Sequence, residues 1–290
     1  MTNFQRIRFV KYALALCGLA IVLVCASISY GQGVFALQPG NDAALKPLSQ
    51  RGSTRITEKE LKLADGLTIR GRRNWLLSFW AENVATCRKL GKPYTLLLMG
   101  GDGGTDPTRE SHLASVEKQI KQLAALYAND PLCWGVHVTG CSKSGHSEEL
   151  YWGRPMPPKV IAANKRLISA WAAAFPRQRI ILAGSANDQN AIRDLIKHGV
   201  KTAPGRFVYK MNAMSPKPNL SWAGNTLLID AAKLGADIGY EALQPSNHQK
   251  FGGTWAQFVA KTLEIERRAG EKFVYEALYR YDFAKSEGLK

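Results

Sequence analysis

Short apolar runs and amphipathic stretches alternate along most of this chain. The runs lie at 67–70 (LTIR), 94–99 (YTLLLM), 134–139 (WGVHVT), 179–183 (RIILA), 207–211 (FVYKM), 238–242 (IGYEA) and 273–278 (FVYEAL). Between them, 75–89, 113–127, 160–175, 190–197 and 254–268 place apolar residues at helical spacing. In 160–175, Val160, Ile161, Leu167, Ile168, Trp171 and Phe175 form the apolar stripe and leave Lys165 and Arg166 outside it. Pro157 and Pro158 suit the start of that helix. Successive runs start between 27 residues (67 to 94) and 45 residues (134 to 179) apart, the size of strand–helix repeats.

The runs are short and mostly apolar, and YTLLLM, RIILA and FVYKM show no strict polar–apolar alternation, as expected of strands buried on both faces of a parallel sheet. Seven are visible, and an eighth is expected in the weakly patterned segment before Asp65. Eight would close a (β/α)8 TIM barrel, a fold that typically takes about 250 residues. The 290-residue chain less a leader fits that size. The alternative is an open doubly wound sheet, but the first strand–helix turn lacks the glycine fingerprint with which such sheets bind dinucleotides. The expected organisation is therefore a leader at 1–31, a linker at 32–60 and a barrel domain at 61–290.

The leader changes the picture of where the protein works. Arg6, Arg8 and Lys11 precede the uncharged stretch 12–30 (YALALCGLAIVLVCASISY), the pattern of a secretory signal. The stretch is also long enough to span a bilayer, so an uncleaved anchor is the alternative. Either way the expected localisation is secreted or extracytoplasmic, with a membrane contact only through this segment. Removing it lowers the formal charge from +16 to 16 − 3 = +13. The remaining cations are scattered rather than gathered into an arm, so no nucleic-acid partner is expected. Three cysteines would remain, Cys87, Cys133 and Cys141, an odd number that reads as unpaired thiols rather than a disulfide framework.

The candidate chemistry lies in acids at strand ends. Glu241 and Glu276 each sit near the end of an apolar run, in 237–244 (DIGYEALQ) and 273–279 (FVYEALY). A parallel barrel gathers its active site at that carboxyl edge, and burying a carboxylate there is costly unless it is paired or used. With the hidden strand counted, 134–139 becomes the fourth strand and 238–242 the seventh. The loop after the fourth, 140–152 (GCSKSGHSEELYW), carries Glu148 and Glu149.

At this point the chain resembles the (β/α)8 glycoside hydrolases of the cellulase and β-galactosidase superfamily, over roughly residues 60–285. The resemblance implies an acid/base Glu after strand four and a nucleophile Glu after strand seven. Carried over, Glu241 is the nucleophile and Glu149 the acid/base, with Glu148 next in line. Glu276 would bind hydroxyls, tune the charge on Glu241, or itself serve as the acid. The sequence departs from the family in one respect. Its acids follow Ser147 several residues beyond the strand, where the family has Asn directly before the acid/base Glu.

Aromatic residues crowd the same edge, and sugar rings stack on aromatic planes. Trp152, Trp222, Tyr240 and Tyr279 are the candidate platforms, and Asn212, Gln244 and Asp102 the candidate hydrogen-bonding groups. The loop 100–104 (GGDGG) lacks the Lys and Ser/Thr of a phosphate loop. The histidines His112, His137, His146, His198 and His248 show no metal-ligand spacing, so neither metal nor cofactor is expected. His137 reads as a packed core residue. The leading expectation is an exported, retaining hydrolase of O-glycosidic bonds. A catalytically silent carbohydrate-binding barrel is the alternative, and a basic binder of anionic polymer a third reading.

Overall fold

The computed structural model describes residues 47–49, 58–72, 77–99, 106–139, 155–184, 188–214, 224–242 and 264–279. For Asn212, Glu241, Glu276 and Tyr279 the description is of the backbone. The barrel lies within a compact unit, Gln38–Asp282, and the second unit, 1–37 with 283–290, lies wholly outside the described residues.

Eight parallel strands close in sequence order into a barrel: β1 (Pro47–Ser49), β2 (Gly66–Arg72), β3 (Tyr94–Met99), β4 (Cys133–Val138), β5 (Arg179–Gly184), β6 (Phe207–Met214), β7 (Asp237–Ala242) and β8 (Phe273–Tyr279). β1 closes the ring by pairing with both β2 and β8. The open-sheet alternative is thereby excluded. Around the strands run α1 (Glu58–Leu63), α2 (Leu77–Leu90), α3 (Glu110–Tyr127), α4 (Pro158–Ala174), α5 (Gln189–Thr202) and α6 (Gly224–Lys233). Residues 264–269 are also helical.

Two features depart from the sequence expectation. The first strand and α1 lie inside 32–60 and its border, the stretch read as a linker. β1 is three residues beginning with Pro, too short and too weakly apolar to show a period. Helix α6 begins Gly-Asn-Thr, which gives no start signal in its apolar spacing.

The layer between strands and helices is the main core. Leu67, Ile69, Leu96, Ile180, Leu182, Ile238 and Phe273 are fully or almost fully buried on the strand side, facing Leu61, Trp80, Trp171, Leu195 and Leu227 of the helices. Close approach is needed where α5 crosses β6. Gly199 lies so near the Phe207 ring that an added Cβ would stand 2.1 Å from Cε2. Asp130, just before β4, ties the turn together: it accepts from Tyr94 Oη at 2.7 Å, Arg88 Nε at 2.8 Å and the Leu132 N–H at 2.9 Å. Burial alone would raise its pKa, but these donors outweigh it and hold the carboxyl below the ordinary aspartate value.

Cys87 and Cys133 are free and buried beside this turn, and Cys141 lies outside the described residues. Burial, with Asp130 second, pushes both thiols up to about 12. A thiol raised above its unfolded value favours the folded state below that value, and the contribution is lost as pH climbs from about 9 toward 12. Iodoacetamide at pH 8 should therefore leave Cys87 and Cys133 unmodified in the native protein and label both in urea. Mass spectrometry showing native labelling at either site would contradict this packing. Separately, Gly199→Ala should destabilise the fold by about 1–3 kcal/mol in urea titrations, although alanine is the better helix former.

Candidate active site at the carboxyl mouth of the barrel

Strand residues alternate between barrel interior and helix layer. Packing fixes which is which. Phe207 meets Gly199 on α5, and Trp80 of α2 covers Gly71 so closely that a Cβ there would lie 1.6 Å from Nε1. Tyr94 makes an edge contact with Tyr127 of α3, ring centroids 6.3 Å apart. These residues face outward. Thr68, Arg70, Thr95, His137, Val208 and Lys210 hold the alternate positions and belong to the interior.

The lower interior is closed by apolar packing of Ile181 and Val208 with Trp134 and Val274. An ionic girdle stands at the amino ends of the strands. Asp237 pairs with Arg179, accepts from Lys272 Nζ at 3.4 Å, and the Arg179 guanidinium lies 5.0 Å from the Trp134 ring centroid. Above this floor the interior turns polar. Thr68 and Thr95 hydroxyls lie 3.0 Å apart, and Thr95 Oγ1 lies 3.2 Å from His137 Nε2. His137 and Lys210 are fully buried, and so is the Nε of Arg70. A barrel interior is ordinarily filled by branched apolar side chains, so a polar stretch of this extent is a departure from plain core packing. None of these interior groups was singled out from the sequence as functional. The available signal was a lone charge within an apolar run, Lys210 in FVYKM and Arg70 in LTIR.

Glu241 is the penultimate residue of β7, at the carboxyl end. It pairs with Ala277 of β8, while Glu276 pairs with Tyr240. The two acids therefore occupy positions of opposite parity, Glu241 sharing that of Gly239 and Glu276 that of Tyr240. Asn212 lies in the irregular stretch of β6 between Met211 and Met214, and Tyr279 pairs with Ser49 of β1.

Tyr240 requires a correction. Proposed from the sequence as a sugar platform, it is fully buried and packs on Phe273, ring centroids 5.5 Å apart, in the helix-side layer. Its position next to Glu241 is the reason: adjacent strand residues point to opposite faces. His137 is buried, in keeping with a packed residue.

Glu148, Glu149, Trp152, Trp222, Gln244, Asp102, His146 and the leader lie outside the described residues. The ends of the segment carrying Glu148 and Glu149 are nonetheless defined. It leaves β4 at the buried Thr139 and returns at the buried Met156. Asp188 secures that return: its Oδ2 accepts from the Met156 N–H at 2.7 Å while Oδ1 accepts from the Ala191 N–H at 3.1 Å, capping α5. Nearby, Asp106 bridges Thr108 and Lys159. The Thr108 hydroxyl and N–H, then Lys159, bring the Asp106 carboxyl down to about 2. Among the described residues no group of three or more His, Cys, Asp and Glu could hold a metal ion.

The fold is similar to that of solved glycoside hydrolases. An endoxylanase of glycoside hydrolase family 10 from a sugarcane-soil metagenome matches with a TM-score of 0.56 and 12% identity, over 82% of this chain and 85% of that one. A β-mannanase from Streptomyces thermolilacinus, solved with mannohexaose, gives 0.55 and 14% over 85% and 83%. An endo-1,4-β-xylanase from Caldicellulosiruptor owensensis gives 0.51 and 11% over 82% and 85%. No protein-family model and no curated protein matches the chain. At these identities the likeness establishes the (β/α)8 fold.

Asp188→Ala removes a helix cap and the anchor of the loop after β4 together. It should cost about 1–2 kcal/mol of stability in chemical denaturation, and an unchanged midpoint would show the brace to be idle.

Proposed function

We propose that the chain is an exported glycoside hydrolase that cleaves O-glycosidic bonds of an oligo- or polysaccharide with two glutamates. The observation that carries this reading is the position of Glu241 at the carboxyl end of β7, on the parity of the polar interior. The loop that follows β4 supplies its partner, Glu149, with Glu148 next in line. Strands four and seven of an eight-stranded barrel stand across the mouth from each other, so groups carried on their ends can flank one sugar.

Glycoside hydrolysis needs that arrangement. One carboxylic acid protonates the leaving oxygen, and a carboxylate on the other side of the anomeric carbon either attacks it or activates water. A retaining enzyme holds the two about 5–5.5 Å apart; an inverting one needs more room. We assign the retaining course, with Glu241 as nucleophile and Glu149 donating the proton, then taking one from water. Glu276 shares the helix-side parity of Tyr240, so charge tuning is the role left to it, not attack or hydroxyl binding. Trp152, Trp222 and Tyr279 are assigned as sugar platforms, and Asn212, Gln244 and Asp102 as hydroxyl partners. The basic, apolar leader supports export.

The xylanase and mannanase neighbours make β-linked xylan and mannan the first polymers to test. A screen of polysaccharides and chromogenic glycosides should find turnover by the wild-type protein. Glu241→Gln should fold normally, by circular dichroism, and fall to background. Full turnover by the variant would reject the nucleophile assignment. Oligosaccharide binding without hydrolysis by the wild-type protein would identify a silent binding barrel instead.

A further inference from the structure

Among the described residues Lys210 is the one fully buried lysine, and the proposed mechanism leaves it without a role. It sits in the barrel interior in the middle of β6, between Phe207 and Tyr209 on one side and Met211 on the other, all of which face the helix layer. In register it is flanked by Ala183 of β5 and Gly239 of β7. A methyl group on one side and a hydrogen on the other leave room for a four-carbon chain inside the ring. An ammonium held there must be matched by negative charge, because an unmatched buried charge is strongly unfavourable.

The neighbouring strand β7 offers two acids of the same parity, Asp237 two residues before Gly239 and Glu241 two residues after it. Asp237 stands at the amino end and is engaged by Arg179 and Lys272. Glu241 stands diagonally ahead of Lys210 toward the carboxyl mouth, a Cα separation on the order of 7–8 Å that a long side chain bridges. Glu276 on β8 has the other parity. Among the described strands, the remaining titratable groups at interior positions are His137 of β4, Arg70 and Arg72 of β2, and Tyr275 and Tyr279 of β8; none of them supplies a carboxylate.

We propose that Lys210 is a positioning residue that acts through Glu241, fixing the strand-seven carboxylate in its ionised form from beneath. The proposal deepens the reading of Glu241 as nucleophile and rests on it for its catalytic meaning. An attacking carboxylate has to be unprotonated. A neighbouring opposite charge lowers a carboxylate pKa by about 1–3 units, which extends the working range toward acid.

The test reads Glu241 directly. The full chain is labelled with carboxyl-13C glutamate, and the Glu241 signal is identified by its loss in Glu241→Gln. It is then titrated in the wild type, in Lys210→Met and in Lys210→Arg. The expected result is that Glu241 titrates at least about one unit higher in Lys210→Met, and at the wild-type position in Lys210→Arg. An unchanged titration in folded Lys210→Met overturns the proposal. If Lys210→Met folds poorly, thermal melts of Lys210→Met, Glu241→Gln and the double variant decide. The double variant should melt well above the sum of the single losses, whereas additive losses, or a double variant that does not recover, overturn the coupling. Neither readout uses turnover. An inactive wild type would thus end the nucleophile reading while the coupling is judged separately.

Discussion

Each strand of this closed sheet has one face toward the barrel interior and one toward the surrounding helices, so alternate residues along it serve two different environments. The outward set must be apolar and well shaped, because it meets the helices at near-crystalline density. The inward set is freed from that demand wherever the barrel is wide enough to hold polar groups that satisfy one another. That single division by parity explains why Tyr240 and Glu241, side by side in sequence, hold positions on opposite faces of β7. It also explains why a lysine can sit fully buried in β6 while its neighbours pack against helices.

The two ends of the interior are built differently. Toward the amino ends of the strands, Trp134, Ile181, Val208 and Val274 fill the space, and Asp237 with Arg179 and Lys272 closes it off. Above that floor, from Thr95 and Thr68 through mid-strand Lys210 to His137 and Arg70 nearer the carboxyl ends, donors and charge line it. The described ends of the segment after β4 are both held, Thr139 by following directly on the strand and Met156 by Asp188.

Much of the fold was legible in the chain. Seven of the strands follow from apolar runs whose limits differ by only a residue or a few from the observed ones, because a parallel barrel strand leaves a short, mostly apolar signature. The strand that escaped detection is Pro47–Ser49, whose three residues carry no period at all. The strand count in turn gave Glu241 its place, since a position at the end of the seventh strand depends only on topology. What sequence could not supply was parity in space. Tyr240 looked like a neighbour of the site because it adjoins Glu241, and the polar ladder from Thr68 through Thr95 to His137 was invisible because its members come from three separate runs. Lys210 was visible as a charge inside an apolar run, but only the flanking Ala183 and Gly239 show why the barrel tolerates it.

The account depends on a carboxylate at the end of β7 forming a bond to sugar. Incubation with 2-deoxy-2-fluoro glycosides that carry a good leaving group, followed by peptide mapping, reads that bond directly. The account predicts a stable glycosyl adduct on the peptide holding Glu241, and on that residue. An adduct on another residue, or none on a protein that hydrolyses the parent glycoside, would contradict it.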